Sequence, residues 1–338
     1  MIDIISPEYA ERIDELRCAG YAFVDGWLTA GPELAALSQL ASGPDPIAEK
    51  DFDALSRYIV YPWRRTVVRL PDERVWHLLR TSRNRYLITD DEQAEWGRAV
   101  VAIAGLSVGA SALHACALTG ARHFHIADPD ALGPTNLNRL AGSVCDLGAP
   151  KRVIAQRRLL EADPYTQVTA FGGYSPENAA EFFGFGDTRA RVIVEEMDDL
   201  AMKVDLRRRA RDAGIPVIMV TDVGDDVIAD VERYDLDPTY PLFHGRAPDI
   251  ADLTVEQLRD PKHRVAIAGA IVGDDIGPRL RTALTEVGRS IVTWPQLGSA
   301  ATLAGAVASV LARKIVCGDD IPSGRGHLRV DQMSLSAK

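Results

Sequence analysis

The chain has 338 residues, enough for one large domain or two smaller ones with a full core. Charged residues make up 25% and the hydrophobic set 46%, which is ordinary globular usage without low-complexity tails. A net charge of −10 and a pI near 5.2 argue against nucleic acid as the main ligand, because neutralising a phosphate backbone needs clustered Lys and Arg.

Residues 1–80 read as an N-terminal extension. Glu8–Arg17 and Pro32–Leu40 look helical, Tyr21–Val24 reads as a strand, and Gly43-Pro44-Asp45-Pro46 as a loop. Ile59–Arg65 and then Thr66–Leu70 read as extended chain broken by Pro62. Acidic Asp3, Glu8 and Glu11 stand where a signal peptide would carry base. Cysteines 18, 116, 145 and 317 have no paired spacing, so neither a disulfide framework nor a C-x-x-C zinc site is expected. The expected location is the cytoplasm.

From Glu73 the pattern sharpens. Glu73–Arg83 is a predicted helix, and Thr89-Asp90-Asp91-Glu92 has capping-box spacing for a helix through Trp96. Residues 81–235 then alternate strand and helix. The predicted strands are Val100–Ala104, His123–Ala127, Gln167–Phe171, Arg191–Glu195 and Pro216–Thr221. The predicted helices are 108–119, 151–161, 176–184 and 199–213. The fold class expected is α/β: a doubly wound, mostly parallel, Rossmann-like sheet with ligands at the carboxyl ends of its strands. Residues 236–338 read as a C-terminal α+β segment that completes the fold. Before it, Asp230–Asp235 is a predicted edge strand; within it, Pro278–Val287 and 299–316 are predicted helices. Ala301, Gly305 and Ser309 recur every four residues and give the last helix one small face. No apolar run reaches the length of a membrane span; the longest, Ala300 to Ala312, stops at Arg313-Lys314.

The chemistry concentrates between Val100 and Lys151. A strand feeding Gly105-Leu106-Ser107-Val108-Gly109 and then a helix can present backbone N–H groups and a helix N-terminus to a phosphate. Asp128 ends the second strand, 23 positions after Gly105, where doubly wound folds place an acid for ribose hydroxyls. Asp130 is either a turn residue or a Mg²⁺ ligand. NAD and ATP both carry that ribose. Asn136, Arg139 and Lys151 separate them, because a nucleoside triphosphate carries about four negative charges and calls for several cations and a metal. Asp198, after the fourth strand, is either a Mg²⁺ ligand or the N-cap of the following helix. His123 and His125 share a strand face, where packing is expected rather than a metal.

These residues resemble the ubiquitin-activating-enzyme-like adenylyltransferases of the ThiF, MoeB and HesA kind. The resemblance runs from about Ser82 to Asp222. It is carried by Asp128-x-Asp130-x5-Asn136-x2-Arg139, by Gly148-x-Pro150-Lys151, by Asn84-Arg85 before the first strand, and by Met197-Asp198-Asp199. It implies an ATP·Mg²⁺ site that activates a carboxylate as an acyl-adenylate. On that reading Asp128 holds the ribose, Asn136, Arg139 and Lys151 the phosphates, and Asp198 the Mg²⁺. Arg85 would reach the triphosphate from a partner subunit, which implies a homodimer. The chain lacks the family's zinc C-x-x-C pairs and its crossover cysteine, its glycine turn is one residue shorter, and Asp199 replaces an asparagine. Ser82–Arg85 with Gly105–Gly109 looks more like a subgroup of actinobacterial ThiF-like proteins, some fused to a nitroreductase-like domain. The substrate carboxylate is left open: a carrier-protein or peptide C-terminus, or a small acid.

Three other functions fit parts of the sequence. Gly105-x-Ser107-x-Gly109 matches a hydrolase nucleophile elbow, with Asp198 or Asp222 and His244, His263 or His327 as triad partners. The turn and Asp128 suit an NAD-dependent oxidoreductase. The shortened turn suits a non-catalytic module of the same fold that binds a peptide or partner protein.

Overall fold

The computed structural model describes residues 1–330 other than Asp275, together with Gln332. Met1–Asp90 with Leu160–Tyr165 form one compact unit; Asp91–Leu159 and the chain from Thr166 onward form a second, larger one.

The smaller unit contains β1 (Asp3–Ile5), α1 (Ala10–Cys18), β2 (Ala22–Asp25), α2 (Trp27–Ser38), β3 (Ser56–Tyr61), β4 (Thr66–Pro71) and α3 (Glu73–Thr81). Its sheet runs β1-β3-β4-β2, with β3 and β4 an antiparallel pair and β2 parallel to β4. Helix α2 starts five residues before Pro32, with Gly26 as its N-cap, and the Asp25 carboxylate accepts the N–H of its first residue, Trp27, at 3.0 Å. Pro32 therefore lies inside the helix. Trp27 stacks on Phe52 at 4.0 Å and donates its indole N–H to the Ser56 hydroxyl at 2.8 Å. The segment 160–165 closes this unit. Tyr61 donates to the Leu160 carbonyl at 2.9 Å, Arg80 to Asp163 at 2.8 Å, and Tyr165 to the Pro71 carbonyl at 2.6 Å.

The larger unit, which excludes Asp90 and Leu160–Ala162, contains the rest of α4 (Asp90–Arg98), then β5 (Val100–Ala104), α5 (Val108–Leu118), β6 (His123–Ala127), α6 (Lys151–Ala162), β7 (Gln167–Phe171), α7 (Ala179–Phe183), β8 (Ala190–Glu195), α8 (Leu200–Ala213), β9 (Val217–Val223) and β10 (Asp226–Glu232). Then come α9 (Val255–Arg259), α10 (Pro261–Val272), α11 (Pro278–Thr285), α12 (Gly298–Val316) and β11 (Gly324–Leu328). The sheet order is β11-β10-β9-β8-β5-β6-β7, and the strands from β9 to β7 are parallel. This is the expected doubly wound α/β sheet. Every residue of β5 is buried, as a central strand covered on both faces requires. Strand order reverses between β5 and β8, so their carboxyl ends flank the ligand crevice of such folds.

Four further elements differ from expectation. β10 starts earlier than Asp230 and is not the edge strand: β11 pairs outside it, antiparallel. Gly324-Arg325-Gly326 carries no strand pattern, and Arg325 clamps Asp230 through hydrogen bonds of 2.6 and 2.9 Å. The helix expected over 176–184 shortens to Ala179–Phe183, because the Asn178 side chain ties the Ser175 N–H and the Gly173 carbonyl into a turn. Helix α12 has nineteen residues, so it exceeds the 300–312 run and is long and apolar enough by length and composition to cross a membrane. Its small face is spent on packing. A Cβ on Gly305 would lie 2.5 Å from the Ser111 main chain of α5, and Ala301, Ala304, Ala308 and Ala312 are buried against α5 and the sheet.

Candidate functional site

β5 ends at Ala104, and Gly105 turns the chain with φ +90°. A Cβ there would sit 2.4 Å from the Glu196 carbonyl oxygen, so only glycine fits. The Leu106 N–H then donates to Asp128 Oδ2 at 2.7 Å, and the Asp130 N–H to Asp128 Oδ1 at 2.8 Å. Asp128 is thus the buried peg that shapes the turn. Burial raises its pKa, and the Leu106 N–H and the Lys151 charge pull it back. Gly109, in the first turn of α5, lets the helix approach Ile103 to within contact distance. Ser107 does not cap α5; its Oγ accepts a hydrogen bond from Arg139 Nε at 2.9 Å.

Lys151 opens α6, is 6% exposed, and donates from its ammonium to Asp130 at 2.8 Å. Arg139 is further held by the Thr135 carbonyl and Asn138 Oδ1, both at 3.0 Å from Nη1; among the described residues its Nη2 has no hydrogen-bond partner. Asn136 accepts the Gly133 N–H at 2.9 Å, which fixes the turn leading to Arg139. Asp198 is exposed and makes no hydrogen bond or ion pair among the described residues. The cap of α8 is its neighbour Asp199, which accepts from Ala201 N at 2.9 Å and takes Arg259 on its other oxygen at 2.9 Å. Arg85 lies in the smaller unit, where it donates to the Ser42 carbonyl at 2.9 Å. His125 packs: its Nδ1 is 2.7 Å from the Phe182 carbonyl.

Gly105–Ser107, Asp128, Asp130, Lys151 and Asp198 line one cleft of about 810 Å³, a volume that suits a nucleotide. Arg259, Tyr174 and Asn178 line it too, and the sequence had not singled them out. Asn136 and Arg139 are not in its wall; Arg139 reaches it through Ser107. Six carboxylates (Asp128, Asp130, Glu177, Glu196, Asp198, Asp199) face two cations, Lys151 and Arg259. Such a wall suits a phosphate ligand that carries its own divalent cation. Asp198, an oxygen donor with no partner, is the kind of group Mg²⁺ takes alongside phosphate.

A buried ion network joins the end of β8 to α8 and β10. Arg207, fully buried, donates to Glu195 at 2.5 Å and to Glu232 at 2.6 Å, and Lys203 donates to Glu195 at 3.1 Å. Next to it, Glu196 accepts the Val220 N–H at 2.8 Å. Burial pushes its pKa up to about 8, with Lys203 opposing and Glu195 and Asp222 adding to the rise. The folded state therefore holds a proton that the unfolded state has already lost above pH about 4.5. Between pH about 5 and 8 this group removes stability as pH rises, so Glu196→Gln is expected to flatten the fall in Tm across that window. An unchanged Tm–pH slope in the variant would contradict the assignment.

Residues 81–329 match the ThiF family, and the chain belongs to it. It is 35% identical over 322 residues to the uncharacterized protein MT1398 of Mycobacterium tuberculosis, covering 94% of this chain and 43% of that protein. The chain thus spans less than half the length of this curated relative. Among solved structures it is similar to PaaA, with a TM-score of 0.53, 18% identity, and coverage of 77% of this chain and 78% of that one. It is similar to the microcin C7 biosynthetic enzyme MccB in complex with N-formylated MccA, with a TM-score of 0.51, 16% identity, and coverage of 73% and 66%. These likenesses are in fold.

Proposed function

We propose that the protein is an adenylyltransferase that uses ATP·Mg²⁺ to activate a substrate carboxylate as an acyl-adenylate. The observation that carries this reading is the gathering of Asp128, Lys151 and the unpartnered Asp198 around one cleft beside a glycine turn, in a chain of the ThiF family. The lone pairs of Asp128 not used by the turn would hold the ribose. The Gly105–Gly109 backbone and the start of α5 would meet the phosphates, with Lys151 and Arg139 as cations. The substrate carboxylate attacks the α-phosphorus, the bond to pyrophosphate breaks, and these cations take up the charge that moves to the leaving group. Asp198 would hold Mg²⁺, which when bound neutralises part of that charge. No protein nucleophile is required. A protein or peptide C-terminus is the favoured carboxylate; the fold neighbour MccB is seen in complex with N-formylated MccA. Arg85 acts from a second copy, which makes the active form a homodimer, and the protein works in the cytoplasm.

A second reading has one observation in its favour: both Asp128 oxygens and the Lys151 ammonium are already satisfied within the protein, as in a non-catalytic binding module. The hydrolase reading is disfavoured because Ser107 Oγ is held by an arginine N–H and His244 is engaged by Asp230 and Tyr240. Calorimetric titration with ATP·Mg²⁺, and NAD⁺ in parallel, tests the choice. The expected result is micromolar binding of ATP alone, lost in Arg139→Ala. Absence of ATP binding would put the binding module ahead.

A further inference from the structure

β9 ends in an aspartate that the chemistry above does not use. Asp222 is 4% exposed. Its Oδ1 accepts only a long hydrogen bond from Gln296 Nε2, at 3.3 Å, and its Oδ2 is buried with no hydrogen-bond partner. A buried carboxylate oxygen without a donor is costly, and such an atom calls for an explanation such as an unplaced ion. The sheet register says what lies next to it. β8 and β9 are parallel, with Ile193 opposite Val217 and Val194 opposite Ile218. β8 ends at Glu195 and β9 at Val223, so Asp198, three residues past β8, and Asp222 both lie at the carboxyl edge of these two neighbouring strands. The electrostatics agree. Burial raises the Asp222 pKa most, the Gln296 amide and the Arg139 charge pull it down, and the Asp198 charge pushes it up.

We propose that Asp222 is a second Mg²⁺ ligand: Asp198 and Asp222 together seat the cation that accompanies the nucleotide, Asp222 through its unpartnered Oδ2. The inference rests on the ATP reading. Mg²⁺ takes an octahedral shell of oxygens, commonly one or two carboxylates with substrate phosphates and waters. Aspartates at the ends of two neighbouring strands offer two such vertices. The cation also relieves the repulsion between them.

The test uses the full chain, α,β-methylene-ATP and Mn²⁺, with free Mn²⁺ counted by electron paramagnetic resonance. Nucleotide affinity in EDTA is measured separately by calorimetry. Asp222→Asn is expected to weaken Mn²⁺ binding at the nucleotide complex by about tenfold or more, as is Asp198→Asn, while affinity for metal-free nucleotide stays within about twofold. The metal-free Asp222→Asn protein is expected to melt no lower than wild type, because the substitution removes an unpaired buried charge; this shows that it folds. Wild-type Mn²⁺ affinity in Asp222→Asn would overturn the inference and leave the ATP reading standing. A wild-type chain that binds no nucleotide, with metal or without, would overturn both.

Discussion

Arg207→Ala is expected to cost about 3–5 kcal/mol in urea unfolding, enough to leave many domains mostly unfolded. The argument is one of uncompensated charge. Arg207 is fully buried, bonds Glu195 at 2.5 Å and Glu232 at 2.6 Å, and lies 4.0 Å over the Phe243 ring. Alanine leaves Glu195 with Lys203 and the Met197 N–H, and Glu232 with the Tyr234 hydroxyl and the Phe243 N–H. Burial works to raise the Glu195 pKa, but Lys203 and Arg207 overcome it and hold it below the ordinary value. The stability this contributes is present above the unfolded-state pKa of about 4.5 and is lost as pH falls through the folded-state value. The variant is therefore expected to lose most at neutral pH and to converge on wild type in acid. A loss below about 1 kcal/mol at pH 7 would mean that water or a rearranged Lys203 replaces the guanidinium.

Lys151→Ala is expected to weaken ATP·Mg²⁺ binding by roughly 100-fold, about the 1.5–3 kcal/mol of one hydrogen bond between charged groups. The ammonium rests on Asp130 at 2.8 Å and lies 3.9 Å from Asp128. Asp130 is largely exposed, so releasing the lysine to a phosphate costs little, because water can solvate the abandoned carboxylate. Asp128 is buried and depends on that positive charge, so the variant also raises its pKa and weakens the hold on the Leu106 N–H. Lys151→Arg is expected to restore part of the affinity. Equal ATP binding by wild type and Lys151→Ala would remove this lysine from the phosphate site.

The parallel core was legible because its strands are continuous apolar runs with turn signals between them, and that pattern has few other solutions. Asp128, Lys151 and Asp198 were legible because strand ends and helix starts place them at one edge of the sheet. The chain's own polar bookkeeping was not. Glu195 and Arg207 look like an ordinary strand end and a solvated helix residue, twelve positions apart, and only the third dimension brings Glu232 to complete them. β11 was hidden by its glycines, since an edge strand held by Arg325 needs no apolar alternation. Asp222 was noticed only as a possible hydrolase acid. Its missing partner is a property of the folded surroundings and leaves no mark in sequence.

The six residues Leu160–Tyr165 belong to the smaller unit although the chain on either side of them belongs to the larger one. This sets an order of events during synthesis. Residues 1–90 leave the ribosome before the 160–165 segment, and the Tyr61, Arg80 and Tyr165 bonds that close their unit wait until that segment has emerged. A gene fragment ending near residue 90 would encode an unfinished module. To excise the smaller unit, a designer would have to graft that segment onto it through a new linker.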